Sequence, residues 1–145
     1  MRKRLVIFAL AAITFAVAPQ ALKAADEDAL CPAGNATLSG TYVLRGEGAI
    51  VGVGPVTVVG WLTYDGKGSV VKGSMTASVN GTIFRFTVSG PYTVNSDCSG
   101  SVEPSGQHYN MVVSPDGKTV NWIETDSGTV SSGTEVRLTR RLDDD

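Results

Sequence analysis

Apolar and polar residues alternate with a period of two over most of the chain after residue 38. Runs of this kind are typical of β-strands with one buried and one wetter face. Turn-forming dipeptides such as Asp65-Gly66, Asn80-Gly81 and Asp116-Gly117 separate the runs. The pattern therefore predicts eight strands, at about 40–48, 55–64, 69–79, 82–94, 99–104, 108–114, 118–125 and 134–141.

Alternation also predicts which side chains of the fourth and eighth strands face the core. In both strands we expect the apolar residues to be buried: Phe84, Phe86, Val88, Val136 and Leu138. The polar residues between them, including Glu135, are expected on the wetter face.

The short hairpins favour an antiparallel up-and-down barrel over a β-sandwich, because a sandwich needs some long crossings between its sheets. Closure of a barrel also removes the strand edges that invite aggregation. A barrel of this size is either filled by side chains or just wide enough for one small ligand. The predicted fold is all-β, a single up-and-down β-barrel of about eight strands at residues 38–142.

The first 24 residues predict a secretory signal peptide. A basic start precedes an apolar run at 5–18, and the segment then ends on small residues. This run is shorter than the roughly 20 residues that a membrane-spanning helix needs. We expect cleavage after Ala24, which leaves an N-terminal arm at 25–37, the barrel domain and an acidic tail at 143–145.

Removal of the signal peptide makes the chain acidic. Four of the 12 Lys and Arg lie in residues 1–24 and none of the 14 Asp and Glu do, so 8 basic and 14 acidic residues leave a net charge of −6. The remaining arginines form no basic stripe for nucleic acid and no polybasic patch for anionic membranes. We therefore expect an exported protein, periplasmic or secreted, with no nucleic-acid partner and no stable membrane insertion after cleavage.

Two cysteines, Cys31 and Cys98, remain in the mature chain. In an oxidising compartment such a pair is more typical of a disulfide than of a metal site. The spacing is not the C-x-x-C of a reactive thiol pair. The sequence predicts a disulfide that ties the N-terminal arm to the barrel.

Several strand-end and turn motifs support a family resemblance. They are LSGTY, LTYDGKGSV, GPYTVNSDCSGSV, WIETDSGTV and GTEVRLTRR, and they cover nearly everything after Leu38. With these motifs the chain resembles a group of exported bacterial proteins of unassigned function. The resemblance implies a barrel similar to the allene oxide cyclase-like and dirigent barrels, which are close in shape to the lipocalins. No catalytic residue of those families matches a position here, so the resemblance implies a fold and no activity.

Candidate catalytic chemistry is sparse. His108 is the single histidine of the chain. It begins a predicted strand, where a histidine is more often a polar residue at the barrel rim than a catalytic residue. Glu124 shares strand parity with Trp122, so it would lie near a barrel mouth if that face is inward, where burial would fit it for acid–base work. A solvated strand end is the alternative for Glu124. We predict no metal site and no cofactor.

Aromatic residues are spread over the predicted strands, as a packed barrel core requires. They equally suit the lining of an apolar pocket. The candidate ligand-binding residues are Tyr64, Phe84, Phe86 and Trp122.

The segment GEGAIVGVGP, at 46–55, has the glycine spacing of a phosphate-binding loop. Such a loop needs a helix after it, whereas the next residues are β-branched and predict a strand. We expect instead a mobile lip at one barrel mouth, formed by Ala49, Ile50, Val51 and Val53. The alternative is a glycine-bent continuation of both strands.

Three functions are compatible with these features. The leading hypothesis is a non-enzymatic barrel that binds a small apolar molecule or a cell-surface partner. The alternatives are a cyclase- or dirigent-like enzyme that shapes a reactive intermediate in the cavity, and a fully packed structural or interaction module. A cavity would argue against the packed module, and a buried ionisable group inside that cavity would favour the enzyme.

Overall fold

A computed structural model of the protein describes residues 29–138. The predicted signal peptide at 1–24, the first residues of the arm and the acidic tail lie outside the described residues. Within the described part, no helix is both long and apolar enough to cross a membrane.

Eight antiparallel strands form one closed barrel. Each strand pairs with the next along the chain, and β1 pairs with β8 to complete the ring. This confirms the predicted up-and-down barrel. The strands are β1 (Ser39–Ile50), β2 (Gly54–Asp65), β3 (Ser69–Val79), β4 (Thr82–Val94), β5 (Ser99–Val102), β6 (Tyr109–Val113), β7 (Thr119–Glu124) and β8 (Thr129–Arg137). Two short 3-10 helices, Gly34–Thr37 and Pro104–Gly106, precede β1 and β6.

The predicted strand bounds differ most at β8, which begins at Thr129 instead of residue 134. Its first residues, TVSSG, carry one apolar side chain, so their pattern did not indicate a strand. They are strand because β1 extends to Ile50, and Ile50 pairs with Thr129. Barrel closure therefore determines the start of β8.

The two ends of the barrel differ. At one end, here the closed end, the 3-10 helix Gly34–Thr37 and the start of β1 meet the β2–β3, β4–β5 and β6–β7 turns. At the other, the open end, lie the connections at 51–53, 80–81, 103–108 and 125–128.

Three buried tyrosines fill the closed end. The rings of Tyr42 and Tyr92 each pack edge-to-face against Tyr64, with centroid distances of 5.2 and 4.9 Å. Each hydroxyl donates a hydrogen bond: Tyr42 to the carbonyl of Gly117, Tyr92 to that of Leu38, and Tyr64 to a carboxylate. Large rings with satisfied hydroxyls make this end a rigid floor.

The N-terminal arm is attached to the same end. A buried disulfide joins Cys31 to Cys98, which confirms the predicted pair. The amide of Cys31 donates to the carbonyl of Ser96, and Asn35 Oδ1 accepts from the amide of Val94 at 2.8 Å. Such a disulfide is typical of an oxidising compartment.

The predicted faces of β8 are wrong. Glu135 is buried, with 3 % of its surface exposed, whereas Val136 and Leu138 are about half exposed. The reason is the register with its neighbour, since Glu135 lies opposite Val120 of β7, whose side chain is fully buried. On β4, in contrast, Val88 is buried as predicted, whereas Phe84 and Phe86 face inward but remain partly exposed because they lie near the open end.

We expect removal of the disulfide to destabilise the barrel strongly. The bond closes a loop of 67 residues, for which the chain-entropy relation gives roughly 4 kcal/mol. The double variant Cys31→Ala/Cys98→Ala should lose about this free energy of unfolding in urea denaturation. Reduced wild-type protein should show a similar loss, and a double variant as stable as the oxidised protein would contradict the expectation.

Candidate functional site

A cavity of about 300 Å³ opens at the open end of the barrel. This volume is at the lower limit for sites that bind small molecules. Apolar side chains supply most of its wall: Leu44, Ile50, Val56, Val58, Leu62, Met75, Ala77, Val79, Phe84, Phe86, Val88, Val102 and Trp122. Polar groups enter at a few positions: Gln107, Tyr109, Glu124, Thr129, Ser131 and Glu135.

On β2 and β3 the inward side chains become smaller toward the open end, which leaves room for the cavity. On β2 the inward positions run from Tyr64 through Leu62 to Val58 and Val56. On β3 the small side chain of Ala77 faces the cavity from the neighbouring strand. A barrel of eight strands holds a small ligand only where large side chains do not fill it.

Four aromatic side chains border the cavity. Phe84 and Phe86 of β4 are 49 and 39 % exposed, so they form a wall near the mouth. On the other side Tyr109 packs edge-to-face on Trp122, with a centroid distance of 5.2 Å. The cavity therefore presents aromatic surface on two sides.

Two glycines position Trp122. Gly46 of β1 and Gly133 of β8 are direct partners where these strands close the barrel. A Cβ atom on either residue would overlap the indole ring of Trp122. Glycine at both positions lets the indole lie directly against the backbone of the barrel wall.

Two glutamates face the cavity at different depths. Glu124 ends β7 at the mouth and accepts a hydrogen bond from Ser131 Oγ at 2.6 Å. Glu135 is deeper, and its Oε2 accepts a hydrogen bond from the Tyr64 hydroxyl at 3.0 Å. Glu135 follows Ser131 by four residues on β8, which corresponds to about 13 Å along the strand.

Burial raises the pKa of Glu135 from its usual 4.5 to about 7, and the hydrogen bond from Tyr64 opposes this rise only in part. Burial and the nearby Glu135 also raise the pKa of Tyr64 well above its usual value, so this hydroxyl remains a neutral donor. The Glu135 carboxyl can therefore bind or release a proton near neutral pH.

No positive side chain balances these carboxylates. Among the described residues that line the cavity, none is Lys, Arg or His. A third glutamate, Glu47, borders the cavity, but its side chain is 70 % exposed and lies 3.5 Å from Arg45 on the outer face. The ionisable carboxyl groups of the cavity are thus acidic, and no basic side chain of the described residues accompanies them in the lining.

The structure brings together three of the four predicted ligand-binding residues. Phe84, Phe86 and Trp122 line the cavity. Tyr64 is not part of the lining, because it lies in the floor with 1 % of its surface exposed and contacts the site through Glu135.

The two candidate catalytic residues occupy different places. Glu124 lies at the barrel mouth and faces inward, which is the first of the two positions that the sequence left open for it. His108 lies at the rim, where its Nδ1 is 2.7 Å from Asp126 Oδ1, and this hydrogen bond raises the pKa of the histidine. The His108 ring and the Asp126 carboxylate are both substantially exposed, as expected for polar residues at the barrel rim.

The predicted lip has two parts. Ala49 and Ile50 belong to β1 and pair with both β2 and β8. This part agrees with the alternative to the lip, in which the strands continue through the segment. Val51 and Val53 lie in the turn between β1 and β2 and are 73 and 52 % exposed. The mobility of this turn stays a prediction, for which hydrogen exchange is the measurement.

Glu135 is the site residue that sequence analysis missed. The apolar residues Val136 and Leu138 were expected on the buried face, and alternation then put Glu135 on the wetter face. The inward set of β8 is Ser131, Gly133 and Glu135. It follows from the register with both neighbours, in which Glu135 lies opposite Val120 of β7 and Gly133 lies opposite Gly46 of β1. That signal requires knowledge of the strand register.

Metal ligation has no support from side-chain clusters. Within residues 29–138, no group of three or more His, Cys, Asp or Glu side chains is arranged to hold an ion.

The fold and the cavity define the class of protein, a small up-and-down β-barrel with an internal pocket open at one end. The chain matches no protein-family model and no curated protein. Among solved structures, it is similar to an S-type phycobiliprotein lyase from Guillardia theta, with 9% sequence identity and a TM-score of 0.42. The match covers 74% of this chain and 92% of that chain. A likeness at this level carries no inference about ligand or activity.

We expect Glu135 to make stability fall as pH rises. Below about pH 4.5 the folded and unfolded chains both hold the proton, whereas between 4.5 and 7 only the folded chain does. Raising the pH through this range therefore favours unfolding, by about 3 kcal/mol for the whole shift. In Glu135→Gln, which keeps an acceptor for Tyr64, this part of the pH dependence should vanish.

Urea denaturation at pH 5 and pH 8 measures the effect. Glu103→Gln is the matched control, because it removes a carboxylate that is exposed and outside the cavity. Wild-type and Glu135→Gln proteins with parallel pH profiles would show that Glu135 does not titrate as expected.

Proposed function

We propose that this protein is an exported barrel that binds one small, largely apolar molecule in its open-ended cavity. The observation that carries the proposal is the cavity of about 300 Å³, lined mostly by aliphatic and aromatic side chains. An apolar cavity with a few inward polar groups is the usual form of a small-molecule site. The same cavity argues against the alternative of a fully packed module.

The position of the stabilising contacts supports binding at the open end. The disulfide, the three tyrosines and the N-terminal arm all lie at the closed end. The rigid floor lets the open end keep a preformed cavity, which lowers the ordering cost of binding. Exposed valines in the 51–53 turn lie beside the mouth and are suited to contact an entering apolar molecule.

Catalysis is the second candidate, and Glu135 is the observation that favours it. A carboxyl with a pKa of about 7 inside a cavity has the protonation behaviour of a general acid or base. In this alternative the barrel would orient a reactive molecule by shape, and Glu135 would transfer a proton to or from it. Glu124 at the mouth is the other inward carboxylate.

Saturable binding of an uncharged apolar fluorescent dye such as N-phenyl-1-naphthylamine tests for an accessible apolar cavity. We expect Phe86→Asp to weaken dye binding about tenfold or more, because a charge at the wall opposes entry of an apolar group. Ile83→Asp is the matched control, since it adds the same charge to β4 on an outward position that is 53 % exposed.

Circular dichroism and thermal unfolding establish that both variants fold. Wild-type protein that binds no such dye, or an equal loss of affinity in Ile83→Asp and Phe86→Asp, would contradict binding in the cavity.

Ligand recovered from the producing cells separates the binder from the enzyme. Mass spectrometry of molecules that co-purify with wild type and Glu135→Gln should find the same compound if the barrel only binds. An enzyme that needs Glu135 should instead accumulate its substrate in the variant and release product from wild type.

A further inference from the structure

One oxygen of Glu135 has no partner in the protein. The Tyr64 hydroxyl donates to Oε2, and the described residues supply no hydrogen-bond donor to Oε1. Among those residues, the sole fully buried side-chain nitrogen or oxygen atom without a hydrogen-bond partner is Thr37 Oγ1, so Glu135 Oε1 is not fully buried. It faces the cavity that Glu135 lines.

A ligand that fills this cavity must therefore compensate for the loss of water at Glu135 Oε1. A purely hydrocarbon ligand would leave a buried acceptor unpaired, which opposes binding. An anionic ligand would meet Glu135 and Glu124 with no lining Lys, Arg or His among the described residues to balance its charge. Any O–H or N–H donor can bond to Oε1, but only a cationic N–H donor also balances the charge of the two carboxylates.

Resting on the proposed binding function, we infer that the ligand is a lipophilic organic cation, an amine whose ammonium group donates to Glu135 Oε1. Its apolar body would lie toward the mouth, between the Phe84–Phe86 wall and the Trp122 indole. Glu124 at the mouth adds a second negative charge that favours entry of a cation.

The aromatic lining supports the same ligand class. Ammonium groups are attracted to the faces of Trp, Tyr and Phe, and Trp is the strongest of the three. Trp122 lies on the same side of the cavity as the two carboxylates, because β7 and β8 carry all three residues. This side of the cavity is therefore anionic and aromatic, whereas β2 and β3 give it an aliphatic side.

Three probes of equal size test the charge preference by isothermal titration calorimetry at pH 8: 1-naphthylmethylamine, 1-naphthalenemethanol and 1-naphthoate. We expect the amine to bind about tenfold or more tightly than the alcohol, and the carboxylate to bind more weakly than both. In Glu135→Gln the amine should lose this advantage while the affinity for the alcohol changes little.

Glu103→Gln is the matched charge control, because it removes an exposed carboxylate outside the cavity lining and should keep the amine preference. Equal binding of amine and alcohol by wild type overturns the cation inference and leaves the proposed binding function standing. An amine preference that persists in Glu135→Gln overturns the assignment to this residue. Failure of all three probes and of the apolar dye contradicts the binding function itself.

Discussion

The pairing of β1 with β8 is the constraint on which the rest of the structure depends. It runs from Tyr42–Arg137 to Ile50–Thr129, and it turns an open meander into a ring without edges. The contact between Gly46 and Gly133 at its centre also makes room for Trp122 against the wall. Without this seam, Glu135 would lie on an edge strand in contact with water, and it would not be a cavity residue.

The two halves of the interior meet different physical demands. At the closed end, buried tyrosines bring large apolar rings together with hydroxyls that need partners, and the backbone of the arm and turns accepts their hydrogen bonds. Tyr64 differs because its hydroxyl is directed to Glu135. This hydrogen bond joins the packed floor to the cavity, since one residue belongs to each.

The local pattern of residues was sufficient to predict the barrel fold, but not all of the side chains that face its interior. Turn pairs such as Asp65-Gly66 and Asn80-Gly81 form the hairpins, and each has a glycine at a positive φ that other residues adopt with strain. The inward face of β4 also followed from its alternation. These features depend on neighbours within a few residues, which a single sequence contains.

The face of β8 depends on partners far away in the sequence. Tyr64 and Glu135 are 71 residues apart, and Gly46 meets Gly133 only after the ring has closed. On β8 the apolar Val130 and Val136 face outward, so alternation alone predicts the wrong face. For Glu124 the sequence left an inward position and a solvated strand end open, and the buried Val120 and Trp122, which share its parity, show that this face of β7 is inward.

Glu135 has a cost that its surroundings do not remove. Burial disfavours its charged form, and one hydrogen bond from Tyr64 satisfies only one of its oxygens. An aliphatic residue of similar size would pack at the position of Glu135 without this penalty. Residues that oppose stability in this way are expected at functional sites, and the disulfide and the tyrosine cluster at the closed end offset the cost. Because a molecule that binds only the folded chain stabilises it by mass action, a ligand that pairs with Glu135 would offset the cost of burying this carboxyl.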